Sequence, residues 1–100
     1  MLMLRNSEPY AVYIMSNKHL TTFYIGVTGN LQQRIWQHKN DEANFTGKYN
    51  CCELIFYETY TDVQQAIARE KNLKNWHREW KINLARTINP ELKDLAAEWY

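Results

Sequence analysis

The stretch that most narrows the possible folds is YAVYIMS–NKHLTT–FYIGV, residues 10–27. Both flanking runs are dense in β-branched and aromatic side chains, which suit a pleated, largely buried surface. The polar connection predicts an antiparallel hairpin with a loop longer than the tightest turns. Two strands alone are marginal in water, so the hairpin demands a third strand and a helical cover. The remaining chain offers both. TGN closes the second strand, and Asn30 is suited to cap a helix over LQQRIWQHKN. Residues 40–50 lack periodicity and predict an irregular loop, after which CELIFYETY predicts the third strand.

Asp62 with Gln65 makes a capping-box pattern ahead of VQQAIAREKNLKNW. Trp80, Leu84 and Ile88 fall at i, i+4 spacing and carry helical character to about Ile88, as one helix or as two with a break near Asn75. NPELKDLAAEW is a candidate last short helix, with Asn89 as cap and Pro90 in its first position. The expected fold is therefore α/β of the α+β type. It is a small three-stranded antiparallel sheet flanked by helices, forming a single domain over residues 1–100.

Several classes are disfavoured. Cys51 and Cys52 are adjacent, a poor arrangement for a disulfide, and they suit a reducing cytosol. The opening MLMLRNSEPYAVY is interrupted by Arg5, Glu8 and Pro9 before an apolar run develops, unlike a signal peptide. No stretch approaches a membrane span. A cytoplasmic protein is expected. The net charge of +1 hides an asymmetry: residues 62–86 hold six basic side chains (Arg69, Lys71, Lys74, Arg78, Lys81, Arg86) against three acidic ones (Asp62, Glu70, Glu79). That excess suits a polyanion, and it equally suits the solvated faces of small helices.

A few polar residues ask for an explanation. Tyr13 and Tyr24 lie on the first two strands as prospective cross-strand neighbours, although a buried phenol often needs only one nearby hydrogen bond. Gly26 weakens a strand interior unless the backbone bends or is closely approached there. Arg34 and His38 share a helical face, while Leu31 and Ile35 supply that helix with an apolar stripe. His38 is either an exposed polar residue or the acceptor of a tyrosine proton. Glu70 stands within the stripe Val63, Ala66, Ile67, Leu73, where a carboxylate must be paired or must coordinate an ion. The ordinary escape is a salt bridge to Arg34, Arg69 or Lys74; the other is a hard cation such as Mg2+. P-loop, zinc-spacing and nucleophile-elbow patterns are absent. Phenol, guanidinium, imidazole and one carboxylate suit charge movement at a phosphodiester better than acyl chemistry.

Taken together, AVY at 11–13, YIG at 24–26, the arginine ten residues after Tyr24 and the AIAREKNLKNW helix resemble the GIY-YIG nuclease superfamily. The likeness covers about residues 10–95 and is nearest in character to small stand-alone bacterial members related to the amino-terminal nuclease domain of the UvrC repair protein. It implies a divalent-metal-dependent DNA endonuclease acting in repair or processing, with Mg2+ or Mn2+ as cofactor. By position, Tyr13 and Tyr24 match the paired tyrosines, Gly26 the motif glycine, Arg34 the catalytic arginine and Glu70 the metal-binding glutamate. His38 matches a position often held by histidine or tyrosine. Asn83 and Asn89 are candidates for a supporting amide, and Lys71, Lys74, Arg78 and Lys81 for contacts to the DNA backbone. The chain departs from the pattern at Ala11, at Val12 and at Val27, where UvrC-type domains carry a lysine. The runner-up is a non-catalytic nucleic-acid-binding domain that keeps the fold, and a small interaction protein is a third class. A protein partner or homodimer stays open, with Trp99 and Tyr100 as candidate contacts.

Overall fold

A computed structural model describes residues 8–40 and 50–100. The predicted irregular loop at 40–50 lies almost wholly outside the described residues. The elements run β1 (Tyr10–Ser16), β2 (Phe23–Thr28), α1 (Leu31–Asn40), β3 (Glu53–Tyr60), α2 (Val63–Lys74) and α3 (Arg78–Arg86). They form one three-stranded antiparallel sheet in which β1 lies between β2 and β3. The central strand is YAVYIMS, and its residues from Ala11 to Ser16 are all buried. A strand enclosed on both faces needs apolar side chains at successive positions, which explains its unbroken run.

The hairpin closes through Asn17, whose Oδ1 accepts from the Thr21 and Thr22 amides at 2.9 and 3.1 Å. Leu20 takes a left-handed backbone, φ 59°. Asn30 caps α1 as expected, accepting from the Gln33 amide at 3.2 Å. Asp62 caps α2, but through the Gln64 amide at 3.0 Å. The chain over 62–88 divides into two helices, because Asn75 ends α2 with its amide turned back to the Asn72 and Leu73 carbonyls.

The sheet has two differently furnished faces. On the first, Ala11, Tyr13 and Met15 pack with Leu31 and Ile35 of α1, together with Cys51, Leu54 and Ala96. On the second, Val12, Ile14 and Ile25 pack with Ala66 and Leu73 of α2 and Ala85 of α3. Each fully buried leucine or isoleucine contributes about 1.5–3 kcal/mol by leaving water. Between Ile14 and Met15 the pairing with β3 slips, Ile14 facing Phe56 and Met15 facing Leu54. That bulge puts both Ile55 and Phe56 into the second core, and Tyr57 packs against the first.

Two sequence expectations need correction. The segment after Asn89 is not a helix but a series of turns, with Leu92 left-handed at φ 54°. Asn89 does not act as a helix cap. Its Nδ2 donates to the Ile55 and Lys93 carbonyls at 3.1 and 2.7 Å, and its Oδ1 accepts from the Lys93 amide at 3.0 Å. Local side-chain bonds of this kind compete with a helix for the backbone. Of the stripe Trp80, Leu84, Ile88, Leu84 packs against the second core and the other two do not. The fully buried residue of α3 is Ala85, while Trp80 and Ile88 stay 53% and 50% exposed.

Asp94 completes the closure. Its Oδ1 accepts from the Leu54 and Ala96 amides at 3.0 and 3.1 Å, and its Oδ2 pairs with Lys39 Nζ at 2.5 Å. Lys39 also donates to the Cys52 carbonyl at 2.8 Å. One carboxylate thus joins the end of α1, the start of β3 and the carboxyl-terminal segment. Asp94→Ala should lower the unfolding free energy by about 2–4 kcal/mol in urea titrations, since two amides and an ammonium lose their acceptor together. Asp94→Asn should cost less; a loss below about 0.5 kcal/mol for the alanine variant would contradict the clamp.

Candidate functional site

The site begins at a close approach between two strands. Tyr13 pairs with Gly26, and Tyr24 pairs with Met15, so the two phenols are diagonal rather than directly opposed. A Cβ built on Gly26 would lie 2.4 Å from Tyr13 Oη and 2.6 Å from Cζ. The ring of Tyr13 therefore lies over the glycine, in space that any other residue would fill. Gly26 is a seat for the phenol, and its backbone φ is not positive.

Helix α1 supplies the rest. Leu31, Ile35 and His38 are its buried residues, spaced at i, i+4 and i+7 toward the first face of the sheet. His38 is only 4% exposed, and its Nε2 lies 2.7 Å from Tyr13 Oη. The imidazole thus meets Tyr13, the deeper phenol, at hydrogen-bond distance. Tyr24 stands beside both, its ring centroid 4.9 Å from that of His38 and 6.2 Å from that of Tyr13. Arg34 projects at the exposed rim, where Nη1 donates to Gln37 Oε1 at 3.2 Å. Gln37 was not singled out by the sequence; its i, i+3 spacing from Arg34 was the available signal.

The electrostatics follow from depth. Burial pushes the Tyr13 phenol well above its ordinary value, and hydrogen bonding from Arg34 pulls part of that back. The Arg34 guanidinium is in turn held more firmly charged by its hydrogen bond to Tyr13. The Tyr13 hydroxyl and His38 Nε2 share one hydrogen bond, whose direction follows the tautomer of the imidazole. Tyr13 stays protonated at neutral pH and is not itself a base.

Glu70 is placed differently. Helix α2 packs on the second face through Ala66 and Leu73, whereas the phenols belong to the first. Its side chain is 16% exposed and pairs with Lys74 Nζ at 2.9 Å, the i, i+4 bridge foreseen among the ordinary escapes. Among the described residues, no group of three or more histidine, cysteine, aspartate or glutamate side chains could hold a metal ion. The donor set, a single carboxylate engaged by an ammonium, does not fit a bound divalent cation as it stands.

Asn83 is exposed on α3, and Asn89 is buried with its amide committed to backbone. Of the four proposed phosphate contacts, Lys71 is exposed and Lys74 holds Glu70. Arg78 Nε donates to the Leu20 carbonyl at 2.7 Å, and Lys81 lies 5.8 Å over the Phe23 ring with its pKa lowered by burial. A cavity of about 420 Å3, lined by Tyr57, Ile88, Leu95 and Trp99, contains none of the predicted site residues. Trp99 packs edge-on to Tyr57, and the Tyr100 hydroxyl donates to the Gln32 carbonyl, so both terminal aromatics are engaged within the chain.

Comparison with known proteins bears on the family of the chain. The family described as GIY-YIG catalytic domain matches residues 9–83. A UPF0213 protein of Clostridium perfringens is 32% identical over 74 residues, 73% of this chain and 78% of its own length. One from Staphylococcus epidermidis is 30% identical over 64 residues, 63% of this chain and 78% of its own. One from Staphylococcus saprophyticus is 26% identical over 78 residues, 77% and 94%. No solved structure matches. Among the described residues, no helix is long and apolar enough to cross a membrane.

The seat under Tyr13 has a direct test. Gly26→Ala should destabilise the protein by about 1–3 kcal/mol through overpacking, measured by urea unfolding. Combined with Tyr13→Ala, the same substitution should add little, because the ring it strikes is gone. Equal costs in both backgrounds would refute the contact.

Proposed function

The chain belongs to the GIY-YIG catalytic-domain family, and from that premise we propose that it binds nucleic acid, most readily DNA, by its phosphate backbone at the Arg34 rim. One observation carries this reading. An exposed guanidinium sits against two phenols on one face, while the acid of the family pattern is held by Lys74 on a helix of the other face. A planar fork of donors beside phenolic hydroxyls suits phosphate oxygens. Such contacts give affinity without base selection, and they weaken as salt rises. In this reading the chain is a nucleic-acid-binding domain that keeps the nuclease fold.

A second reading is divalent-metal-dependent cleavage of DNA, with Mg2+ or Mn2+ as the ion. It is favoured by the Tyr13–His38 bond, since phosphate binding alone requires no buried phenol–imidazole pair. Here Arg34 would stabilise charge on the phosphoryl oxygens and Tyr24 would orient or deprotonate the attacking water, with Tyr13 and His38 conducting the proton away. Glu70 would first have to exchange Lys74 for the ion.

Binding and cleavage are separable in one experiment. Arg34→Ala should weaken DNA binding by about tenfold at low salt, as one charge-assisted contact is lost. Cleavage that depends on added Mg2+ and disappears in Tyr24→Phe and Glu70→Gln proteins would establish the second reading. Binding without cleavage supports the first. Undiminished binding by the Arg34→Ala protein would refute the assigned surface.

A further inference from the structure

An exposed indole outside the site lies where α2 meets α3. Trp80 is 53% exposed, yet it is braced by two rings set nearly perpendicular to it: Trp76 at 5.9 Å and His77 at 4.9 Å between centroids. Trp76 is itself covered by the Arg69 guanidinium, 5.3 Å from its centroid, and Arg69 Nε is anchored on Glu58 Oε2 at 2.7 Å. The indole is therefore held in place while half of it faces water. Leaving so large an apolar surface in solvent forgoes burial, which suggests that something covers it.

The charge around it selects the occupant. Residues 62–86 carry six basic and three acidic side chains, and Lys71, Lys74, Arg78 and Arg86 are all exposed on these two helices. A second copy presenting the same face would bring that positive excess against itself. A polyanion with flat apolar groups meets both demands. Lys81 and Arg78 also reach the β1–β2 hairpin at Phe23 and Leu20, and Phe23 immediately precedes Tyr24. The patch thus adjoins the end of the strand that carries the phenol.

Resting on the nucleic-acid reading above, we propose that Trp80 is a stacking platform for unpaired nucleobases, with the cations of α2 and α3 holding the flanking phosphates. Paired bases in a duplex hide their faces, so the platform favours single strands or frayed ends.

Anisotropy titrations of a short fluorescent oligodeoxythymidine and of a duplex of equal length, in low salt with chelator, test this. Trp80→Ala should lose about tenfold in affinity for the single strand and little for the duplex, and Trp80→Phe should retain most of it. Circular dichroism establishes that both variants are folded, and indole fluorescence of the native protein should be quenched by the oligonucleotide. Unchanged single-strand affinity in the alanine variant, or equal losses on both probes, would overturn the platform alone. So would self-association of the native protein that Trp80→Ala abolishes, which would make the patch a contact between copies. Absence of binding to either probe by the native protein would overturn the nucleic-acid reading as well.

Discussion

The arrangement depends on one ring lying on one glycine. Tyr13 occupies the middle of the central strand, where its phenol must go somewhere within the first core. Gly26 leaves open the space that the ring takes, and His38 meets the hydroxyl at hydrogen-bond distance. A buried hydroxyl without a partner would cost a few kcal/mol, so the imidazole settles a debt that burial creates. The same bond fixes the rotation of α1 on the sheet, and Arg34, one turn earlier, is delivered to the rim beside both phenols. Structural and chemical roles coincide at Tyr13.

Helix α1 is held at two further points. Leu31 and Ile35 anchor its face in the core, and Lys39 ties its last turn to Asp94. A ten-residue helix is too short to be stable in isolation. Its order comes from these attachments, so the precision of the phenol–imidazole–guanidinium group is a property of the whole first face. The second face is simpler. There α2 and α3 cover the sheet through small and aliphatic residues, and their outward surfaces collect the cations and the exposed indole.

Much of this was legible in the residues. The element order from β1 to α3, the Asn30 cap and the gathering of Tyr13, Tyr24, Arg34 and His38 follow from periodicity, turn chemistry and the recognised family pattern. What escaped was set by long-range partners. Pro90 after Asn89 looks like a helix start, but Asn89 finds the Ile55 carbonyl, thirty-four positions away, and the segment turns instead. Trp80, Leu84 and Ile88 have helical spacing, yet spacing cannot say that Leu84 reaches the core beside Ala85 while Trp80 and Ile88 stay exposed. Glu70 was identified as anomalous, and its two possible resolutions were both visible; the choice of Lys74 needed side-chain geometry.

The turns after Asn89 have an effect beyond anchoring. β3 is an outer strand, and its first half would otherwise offer bare backbone to any neighbouring chain. The Leu95 amide takes the Leu54 carbonyl, Asn89 takes that of Ile55, and Asp94 takes the Leu54 amide. The last stretch of polypeptide therefore works as a fender: it occupies the Leu54–Ile55 part of this rim without adding another strand, and so keeps a stranger from pairing there.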